Sequence, residues 1–208
     1  MAEYHKYVFD LEKCAFVGNF EGMYQQELVA NFDSWHQEDS RQLNRKIALD
    51  MLEEVNFSTI LDIGTGKGSL SHRLKKRNNH VLGVDVSPTA IAAAKARFPD
   101  IDFEVADAND VAVFEEYLIV RYGEAGVDLA FSAECLSYIE NWRQLVAMLA
   151  AHARHLLITL YIPENPIGFV KSADDLETEV AKHFDVNEVV VIKKSRFIVL
   201  LASQRGHS

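Results

Sequence analysis

A glycine-rich loop near residue 65 is the part of the sequence best suited to bind a ligand through its backbone. Gly64, Gly66 and Gly68 alternate with Thr65 and Lys67, directly after a short apolar run. Alternating glycines let the chain turn tightly and let backbone N–H groups approach a ligand without obstruction by side chains. The third glycine comes one position too early for a Gly-x-Gly-x-x-Gly dinucleotide fingerprint, and the spacing of a P-loop is also absent. The loop therefore predicts a ligand-binding turn that follows neither of these two motifs.

Carboxylates recur at regular intervals around this loop. Asp62 precedes it, Asp85 follows 23 positions after Asp62, and Asp107 comes 22 positions after Asp85. Because a carboxylate has only acceptor atoms, Asp85 could accept both hydroxyl protons of a ribose. Asp107 and the neighbouring Ala108 could bind the exocyclic amine and one face of an adenine. The spacing therefore predicts a nucleoside site.

Alternating strand and helix patterns bring these residues to one edge of a sheet. Strands are predicted at residues 59–63, 81–86, 102–106, 127–133 and 155–162, with helical patterns in the connections between them. This alternation is typical of a parallel sheet with helices on both faces. Ligands bind to such sheets at the carboxyl ends of the strands. Ser132 and Glu134 end the fourth strand and are therefore expected in the same crevice.

The last part of the chain departs from this alternation. Two further strands, at 186–192 and 197–202, are joined by only four residues, 193–196. A parallel crossover needs about a dozen residues, so these strands must form an antiparallel hairpin. The predicted fold is therefore α/β, a Rossmann-like doubly wound, mostly parallel seven-stranded sheet with a C-terminal antiparallel β-hairpin. We expect residues 39–208 to form this domain and the aromatic-rich residues 1–38 to form an N-terminal segment that we call the cap.

Composition and charge restrict the partners. The 208 residues fit one domain, and 31 Asp and Glu against 21 Lys and Arg give a net charge of −10. An acidic chain repels polyphosphate, so nucleic acid is not an expected partner. Apolar runs are far shorter than the ~20 residues of a membrane span, and no secretory signal pattern is present. Cys14 and Cys135 have no pattern of a disulfide or zinc site, so we expect a cytoplasmic protein without a metal.

The motifs together resemble a known superfamily. Asp62–Gly68, Gly83–Ser87, Asp107-Ala108, Asp128–Ser132 and the closing hairpin are similar to the successive motifs of class I S-adenosylmethionine-dependent methyltransferases. The resemblance covers about residues 39–203 and implies the strand order 3-2-1-4-5-7-6. The stretch 134–139 looks like the segment after the fourth strand in small-molecule members, many of which carry His where this chain has Tyr138. Residues 24–41 and 134–138 are also loosely similar to nodulation-type and sugar-pathway methyltransferases.

The resemblance implies roles for named residues. Glu134, His36 and Tyr138 are the candidates to orient or deprotonate the methyl acceptor. Trp35 and Arg41 could clamp the methionine end of the cofactor, with Arg41 matching its carboxylate. Cofactor-binding residues are expected along the strand ends: Asp62, Gly64, Thr65, Gly66, Gly68, Asp85, Val86, Asp107, Ala108 and Ser132.

Structural roles remain open for several of these residues. Asp85 could instead stabilise the N-terminus of the helix after Ser87, and Asp62 could bond the amides of the glycine loop. Glu134 could cap the helix that follows it. Trp35 could be a core residue and Arg41 a solvated one.

The predicted function is methyl transfer from S-adenosylmethionine to an oxygen or nitrogen of a small molecule. A sulfonium is an excellent leaving group, so the protein mainly has to align donor and acceptor and exclude water. The alternatives are a nicotinamide-dependent oxidoreductase, which shares the sheet and the strand-end acid, and a non-catalytic cofactor-binding module. A small-molecule acceptor is the expected partner, with neither nucleic acid nor a membrane.

Overall fold

The N-terminal part of the chain forms short elements outside the main sheet. The computed structural model describes residues 5–30, 32–36, 39 and 42–206. Within these ranges, strands β1 and β2 pair in antiparallel fashion. The elements before the main sheet are α1 (His5–Val8), β1 (Phe9–Asp10), β2 (Ala15–Phe16), α2 (Phe20–Ala30) and α3 (Leu43–Met51).

The remaining elements alternate as the sequence predicts. The strands are β3 (Thr59–Ile63), β4 (His80–Asp85), β5 (Asp102–Val105), β6 (Val127–Ala133), β7 (Ala153–Tyr161), β8 (Phe184–Ile192) and β9 (Phe197–Gln204). The helices are α4 (Ser69–Leu74), α5 (Pro88–Arg97), α6 (Val111–Tyr122), α7 (Trp142–His152) and α8 (Ala173–His183). Ser87 caps α5 by accepting a hydrogen bond from the Ala90 N–H, and Pro88 takes the first helical position.

The strands form one mixed sheet. In the described part of the chain its seven strands have the order β5-β4-β3-β6-β7-β9-β8. Neighbours from β5 to β7 are parallel, whereas β9 is antiparallel to both β7 and β8. The predicted fold class and strand order are therefore confirmed, including the C-terminal hairpin. Since β3 lies between β4 and β6, the winding reverses beside the glycine loop, where such sheets bind ligands.

Helices cover both faces of the sheet. Trp142, Phe114 and Phe184 belong to the apolar core on the face covered by α6, α7 and α8. Ala48 and Ile91 belong to a second core, on the face covered by α3, α4 and α5. Because both faces are packed, the ends of the central strands are the part of the sheet left to form a site. No helix in the described residues is long and apolar enough to cross a membrane.

The outer strand β5 is short and carries charged side chains. Glu104 accepts hydrogen bonds from Nη1 of Arg121 (2.6 Å) and from the hydroxyl of Tyr117 (2.8 Å). Asp102 is in contact with Arg121 and with His80 on the neighbouring strand. Helix α6 thus holds this edge of the sheet through ionic contacts.

Candidate functional site

A cavity lies between the carboxyl ends of the strands and the cap. The residues lining it come from the sheet edge, from the cap and from α3. Those of them predicted from the sequence are Gly64, Thr65, Asp85, Val86, Asp107, Ala108, Glu134, Tyr138 and Trp35.

Other predicted site residues do not line this cavity. Gly66 and Gly68 belong to the loop behind Thr65, and Asp62 and Ser132 are buried in their strands. The hydroxyl of Ser132 has no hydrogen-bond partner among the described residues. The side chain of His36 is exposed, and its carbonyl rather than its ring contacts a cavity residue. Arg41 lies outside the described residues.

The glycine loop is held by its backbone and by close packing. The N–H groups of Gly64 and Thr65 both donate to the carbonyl of Val84, at 2.9 and 3.0 Å. Gly64 has a φ of +76°, and a Cβ there would overlap Cβ of Cys135 at 2.5 Å and also its Sγ. Only glycine fits this combination of left-handed backbone and close approach. The loop is therefore fixed in shape by the strands on both sides.

Asp85 joins the end of β4 to the glycine loop. Its carboxylate is 8% exposed and accepts hydrogen bonds from the N–H groups of Gly66 and Ser87, both at 2.9 Å. Burial raises the pKa of Asp85, and these backbone hydrogen bonds oppose that rise. A carboxylate has about four lone-pair positions, so this one retains acceptor capacity on the cavity side. Asp85 therefore both orders the loop and offers acceptors to a ligand.

Asp62 supports the same loop from behind. It is 1% exposed and accepts a hydrogen bond from the hydroxyl of Ser71 at 2.5 Å. The hydroxyl of Ser71 lies 2.6 Å from that of Thr65, which lines the cavity. Burial raises the pKa of Asp62 to about 6. The carboxyl thus acts on the cavity through Ser71 and Thr65.

The end of β5 supplies one wall of the cavity. Asp107 is exposed, and its carboxylate accepts a hydrogen bond from the N–H of Asn109 (2.9 Å). Ala108 between them is 9% exposed and presents an apolar surface. A carboxylate acceptor and a small apolar side chain therefore lie next to each other on this wall.

Glu134 lies where β6 ends and is held by several hydrogen bonds. Its Oε1 accepts from Asn44 (2.9 Å) and from the Thr159 hydroxyl (2.5 Å), and its Oε2 accepts from the N–H of Tyr161 (2.7 Å). Its φ of +59° is a left-handed conformation that few non-glycine residues adopt. Burial raises the pKa of Glu134, and these hydrogen bonds together with Arg45 oppose the rise. The carboxylate is thus fixed in orientation at the cavity wall.

Tyr138 lies at the centre of an aromatic cluster that joins the cap to the sheet edge. Its ring stacks on Phe16 at a centroid distance of 6.0 Å and contacts Phe20 at 5.4 Å and Trp35 at 5.6 Å. Burial raises the pKa of Tyr138. The phenol is therefore protonated at neutral pH, so it can donate a hydrogen bond but is poorly suited to act as a base.

An arginine that the sequence reasoning did not select also lines the cavity. Arg45 on α3 is 5% exposed, and its Nη1 and Nη2 donate to the carbonyls of His36 (2.7 Å) and Trp35 (3.2 Å). Its Nε is buried without a hydrogen-bond partner among the described residues. In the sequence, Arg45 lies within the predicted helical pattern and four positions after Arg41. That position was the available signal.

Glu21 attaches the cap to the start of α5. Its Oε2 accepts hydrogen bonds from the Ser87 hydroxyl (2.5 Å) and from the N–H of Thr89 (3.1 Å). The hydroxyl of Thr89 donates to the other oxygen at 2.5 Å. A carboxylate at a helix N-terminus also interacts favourably with the helix dipole. This attachment lies two residues from Asp85.

Lys67 attaches the cap to the glycine loop. Its Nζ lies 2.9 Å from Oε2 of Glu27 and 3.1 Å from Oδ1 of Asp33. The other oxygen of Glu27 accepts a hydrogen bond from the N–H of Ser34 at 2.8 Å. The loop that borders the cavity is thus in direct contact with the segment that covers it.

Comparison with known proteins identifies the central part of the chain. Residues 60–157 match the family described as a methyltransferase domain. The matched segment begins in β3 and ends in β7, so it contains the glycine loop and the ends of the central strands.

Curated relatives are similar over parts of the chain. Cyclopropane mycolic acid synthase 2 of Mycobacterium bovis is 30% identical over 135 residues, which is 61% of this chain and 45% of that protein. Ribosomal RNA small subunit methyltransferase A of Mycoplasma mycoides is 29% identical over 84 residues, which is 40% of this chain and 31% of that protein. The chain spans about a third of the length of several other curated relatives that it matches.

A solved structure shares the fold over most of the chain. The N-methyltransferase NodS from Bradyrhizobium japonicum, in complex with S-adenosyl-L-homocysteine, superposes with a TM-score of 0.71. The sequences are 20% identical, and the superposition covers 90% of this chain and 99% of NodS. At this identity the likeness concerns the fold.

Proposed function

We propose that this protein, whose chain carries a domain of the class I S-adenosylmethionine-dependent methyltransferase superfamily, transfers a methyl group from S-adenosylmethionine to an oxygen or nitrogen of a small molecule. The proposal rests on the order in which candidate ligand-binding residues follow one another along the sheet edge. Ala108 and Asp107 follow β5, Asp85 ends β4, and the glycine loop follows β3. Adenine, ribose and the sulfur-bearing chain of the cofactor require partners in that same order.

The residues present fit this cofactor. Asp85 retains acceptor positions towards the cavity after binding the N–H groups of Gly66 and Ser87. The Nε of Arg45 is a buried donor without a partner among the described residues, which a charged ligand would satisfy. The lining of the cavity is mostly apolar with a few polar groups, which is typical of cofactor sites.

The chain would catalyse transfer mainly by positioning. When bound, the cofactor supplies a methyl group on a positively charged sulfur, which leaves as a neutral thioether. The strand ends fix the donor in place, and Phe20, Tyr24 and Trp35 of the cap cover it and exclude water. The hydroxyl of Tyr138 can donate a hydrogen bond to the acceptor. Removal of the acceptor proton by Glu134 stays a prediction, and the exposed side chain of His36 is less well placed for it.

A small molecule is the proposed acceptor class. The net charge of −10 disfavours a phosphate backbone, and the cap leaves an enclosed cavity instead of an open groove. Two relatives are named for mycolic acid and ribosomal RNA chemistry, but the chain spans less than half of either protein. We also propose that residues 1–38 act as the cap that encloses the acceptor.

The two alternative functions have less support. The third glycine is at 68, so the loop lacks the fingerprint of nicotinamide-dependent oxidoreductases. A non-catalytic module would keep the nucleoside site without needing a covered cavity. The cap, which encloses the site through polar and aromatic contacts, favours catalysis over simple binding.

Calorimetry and methyl transfer test the proposal. S-adenosylmethionine should bind, and Asp85→Ala should weaken binding more than tenfold because charged hydrogen bonds contribute roughly 1.5–3 kcal/mol each. Asp100→Ala removes an exposed carboxylate away from the cavity and serves as the control. Labelled methyl should reach small amines or hydroxyl compounds but not RNA or DNA at physiological salt.

Specific outcomes would contradict the proposal. Protection by NAD but not by S-adenosylmethionine would favour the oxidoreductase. Unchanged affinity for S-adenosylmethionine in a folded Asp85→Ala variant would show that Asp85 does not bind the cofactor. Efficient labelling of nucleic acid would still support methyl transfer but would contradict a small-molecule acceptor.

A further inference from the structure

Glu21 of the cap contacts the first turn of α5 through both of its carboxylate oxygens. Oε2 accepts hydrogen bonds from the Ser87 hydroxyl (2.5 Å) and the Thr89 N–H (3.1 Å), and Oε1 accepts one from the Thr89 hydroxyl (2.5 Å). Gln25, one turn further along α2, donates to Oε1 at 2.8 Å. The carboxylate is thus oriented by its own helix and bonded to the helix that follows Asp85.

The first turn of α5 depends on this carboxylate. Pro88 has no N–H and the N–H of Ala90 donates to the Ser87 hydroxyl, so Glu21 supplies the acceptor that the N–H of Thr89 needs. Residues 88–91, all of which the structure describes, include no acidic side chain. Although burial raises the pKa of Glu21, hydrogen bonds from Ser87 and Thr89 lower it below its ordinary value. The charged carboxylate therefore provides the negative charge that a helix N-terminus favours.

Ser87 joins Glu21 to Asp85. Its hydroxyl donates to Glu21, while its N–H donates to Oδ1 of Asp85 at 2.9 Å. The other oxygen of Asp85 accepts from the N–H of Gly66, also at 2.9 Å. Ser87 is completely buried, so its position is set by the groups packed and bonded around it. The orientation of the Asp85 carboxylate therefore depends on Ser87, and the position of Ser87 depends in part on the cap.

The neighbours of Glu21 on α2 cover the cavity. Phe20 and Tyr24 line it. Tyr24 and Met23 also form a small apolar core with Ala90 of α5. Helix α2 thus contacts the cavity and α5 at the same time, and its displacement would uncover the cavity and break the contacts of Glu21 together.

We propose that Glu21 is a positioning residue that couples closure of the cap to binding of the ribose by Asp85. The proposal rests on the proposed function, in which the ribose of the cofactor lies at Asp85. With the cap closed, Glu21 holds Ser87 so that Oδ1 of Asp85 is fixed and its remaining acceptor positions are available to the ribose hydroxyls. When the cap opens, the first turn of α5 loses a charged acceptor and Asp85 becomes less well ordered.

The coupling acts in both directions. If closure of the cap strengthens ribose binding, ribose binding favours closure by the same factor, because coupling free energies between two sites are reciprocal. An occupied ribose site would thereby bring Phe20 and Tyr24 over the cofactor before the acceptor reacts. Glu21 thus gives the cap a role in cofactor recognition in addition to the exclusion of water.

Calorimetry of a double-mutant cycle tests the coupling. The affinity for S-adenosylhomocysteine is compared in the unaltered chain, in Glu21→Ala, in Asp85→Ala and in the double variant. Glu21→Ala alone should weaken binding about tenfold, a typical size for coupling between two sites. In the Asp85→Ala background the same change should weaken binding less than about twofold, because the group that Glu21 positions is then absent.

Phe16→Ala is the matched control. Phe16 joins the cap to Tyr138 and Phe169 through ring contacts, which involve neither α5 nor Asp85. Loss of these contacts should loosen the cap without displacing Ser87. Phe16→Ala should therefore weaken S-adenosylhomocysteine by the same factor whether or not the Asp85 carboxylate is present.

Three results of the cycle would overturn the proposal. Equal weakening by Glu21→Ala in both backgrounds would mean that Glu21 only holds the cap in place. No weakening in either background would mean that Glu21 does not influence binding. Non-additivity of Phe16→Ala as large as that of Glu21→Ala would contradict a path through Ser87.

Hydrogen exchange of the unaltered chain provides a second test, which decides the question if Glu21→Ala does not fold. Adenosine carries the ribose and adenine lacks it. At saturating concentrations, adenosine should slow exchange of α2 at least about fivefold and adenine less than about twofold. Equal slowing by the two ligands would overturn the proposal. If the chain binds S-adenosylhomocysteine but fails these tests, the proposed function stands, and if it does not bind S-adenosylhomocysteine, both fail.

Discussion

The two walls of the cavity are held in place by different forces. On the sheet side, the N–H groups of Gly64 and Thr65 bond to a strand carbonyl, and Asp85 bonds to backbone N–H groups. On the cap side, the attachments are side chains that reach across from distant parts of the chain, such as Glu21 and Lys67. Backbone ladders and close packing are cooperative, whereas individual polar side-chain contacts contribute little each.

This difference implies that the two walls differ in how easily they move. The sheet edge should keep its shape without a ligand, because the strands that shape it are part of the hydrophobic core. The cap should open at a lower free-energy cost, because only a few polar contacts, one aromatic cluster and a small apolar core with Ala90 of α5 join it to the rest of the domain. Substrate entry and product release require such an opening, since the cavity is covered.

The largest loss of stability is expected from Gly64→Ala, a change on the sheet side of the cavity. A left-handed φ costs a non-glycine residue roughly 1–2 kcal/mol, and the overlap with Cys135 adds a further ~1–3 kcal/mol. We expect the free energy of unfolding to fall by about 2–5 kcal/mol and S-adenosylhomocysteine binding to be lost. Urea denaturation and calorimetry measure the two effects.

The companion change Cys135→Gly separates the two causes, because it removes both the Cβ and the Sγ that the methyl group added at position 64 would overlap. Gly64→Ala should therefore cost less stability in the Cys135→Gly background than in the unaltered chain. An equal cost in both backgrounds would show that backbone strain alone explains the loss.

A smaller, pH-dependent effect is expected from Asp62, which supports the same wall. Its native pKa is about 6, whereas an unfolded aspartate titrates near 3.9. Between about pH 4 and pH 6 the native state keeps a proton that the unfolded state has released. The free energy of unfolding should therefore fall as pH rises through this window, by up to about 3 kcal/mol.

Asp62→Asn isolates this contribution because the amide does not titrate. The free energy of unfolding of the unaltered chain, relative to that of the variant, should decrease from pH 4 to pH 6 and then stay constant. Other carboxyl groups titrate in both proteins and cancel in the difference. Parallel stability curves would contradict a raised pKa for Asp62.

The smallest loss of stability is expected from Lys67→Met, a change on the cap side of the cavity. The change removes the cation that joins the glycine loop to Glu27 and Asp33. Because Glu27 keeps the hydrogen bond from the Ser34 N–H and Asp33 is partly exposed to water, we expect a loss of only about 1 kcal/mol in the free energy of local opening. Hydrogen exchange of α2 should therefore accelerate roughly fivefold, while exchange of β3 and β6 stays unchanged.

Lys95→Met on the exposed side of α5 is the matched control. It removes a lysine without touching the cap and should leave exchange of α2 as it is. If Lys67→Met accelerated exchange in the central strands as much as in α2, the two walls would form one cooperative unit. The proposed difference in their opening free energies would then be wrong.

Features that depend on local pattern could be predicted from the sequence. The strands 59–63 and 127–133 have the predicted bounds, because short apolar runs mark such elements within a few residues. The glycine loop was predictable for the same reason, since a turn with left-handed residues needs glycine at set positions.

The cap side depends on contacts between distant residues, which a single sequence does not reveal. The sequence analysis selected Arg41 and missed Arg45, which the packing of α3 brings to the cavity. Glu21 and Ser87 are separated by 66 positions, and Lys67 and Glu27 by 40. Pairings at such distances follow from the tertiary structure and not from local spacing.

The charged outer strand β5 has a consequence for association between molecules. An uncovered sheet edge presents unpaired N–H and C=O groups that can pair with the edge of a second copy. Asp102, Glu104 and Arg121 place charged side chains along this edge, which a second strand pairing there would have to remove from water. The strand is also only four residues long, which limits the hydrogen bonds that such pairing could gain. β5 thus protects this edge of the sheet against edge-to-edge aggregation.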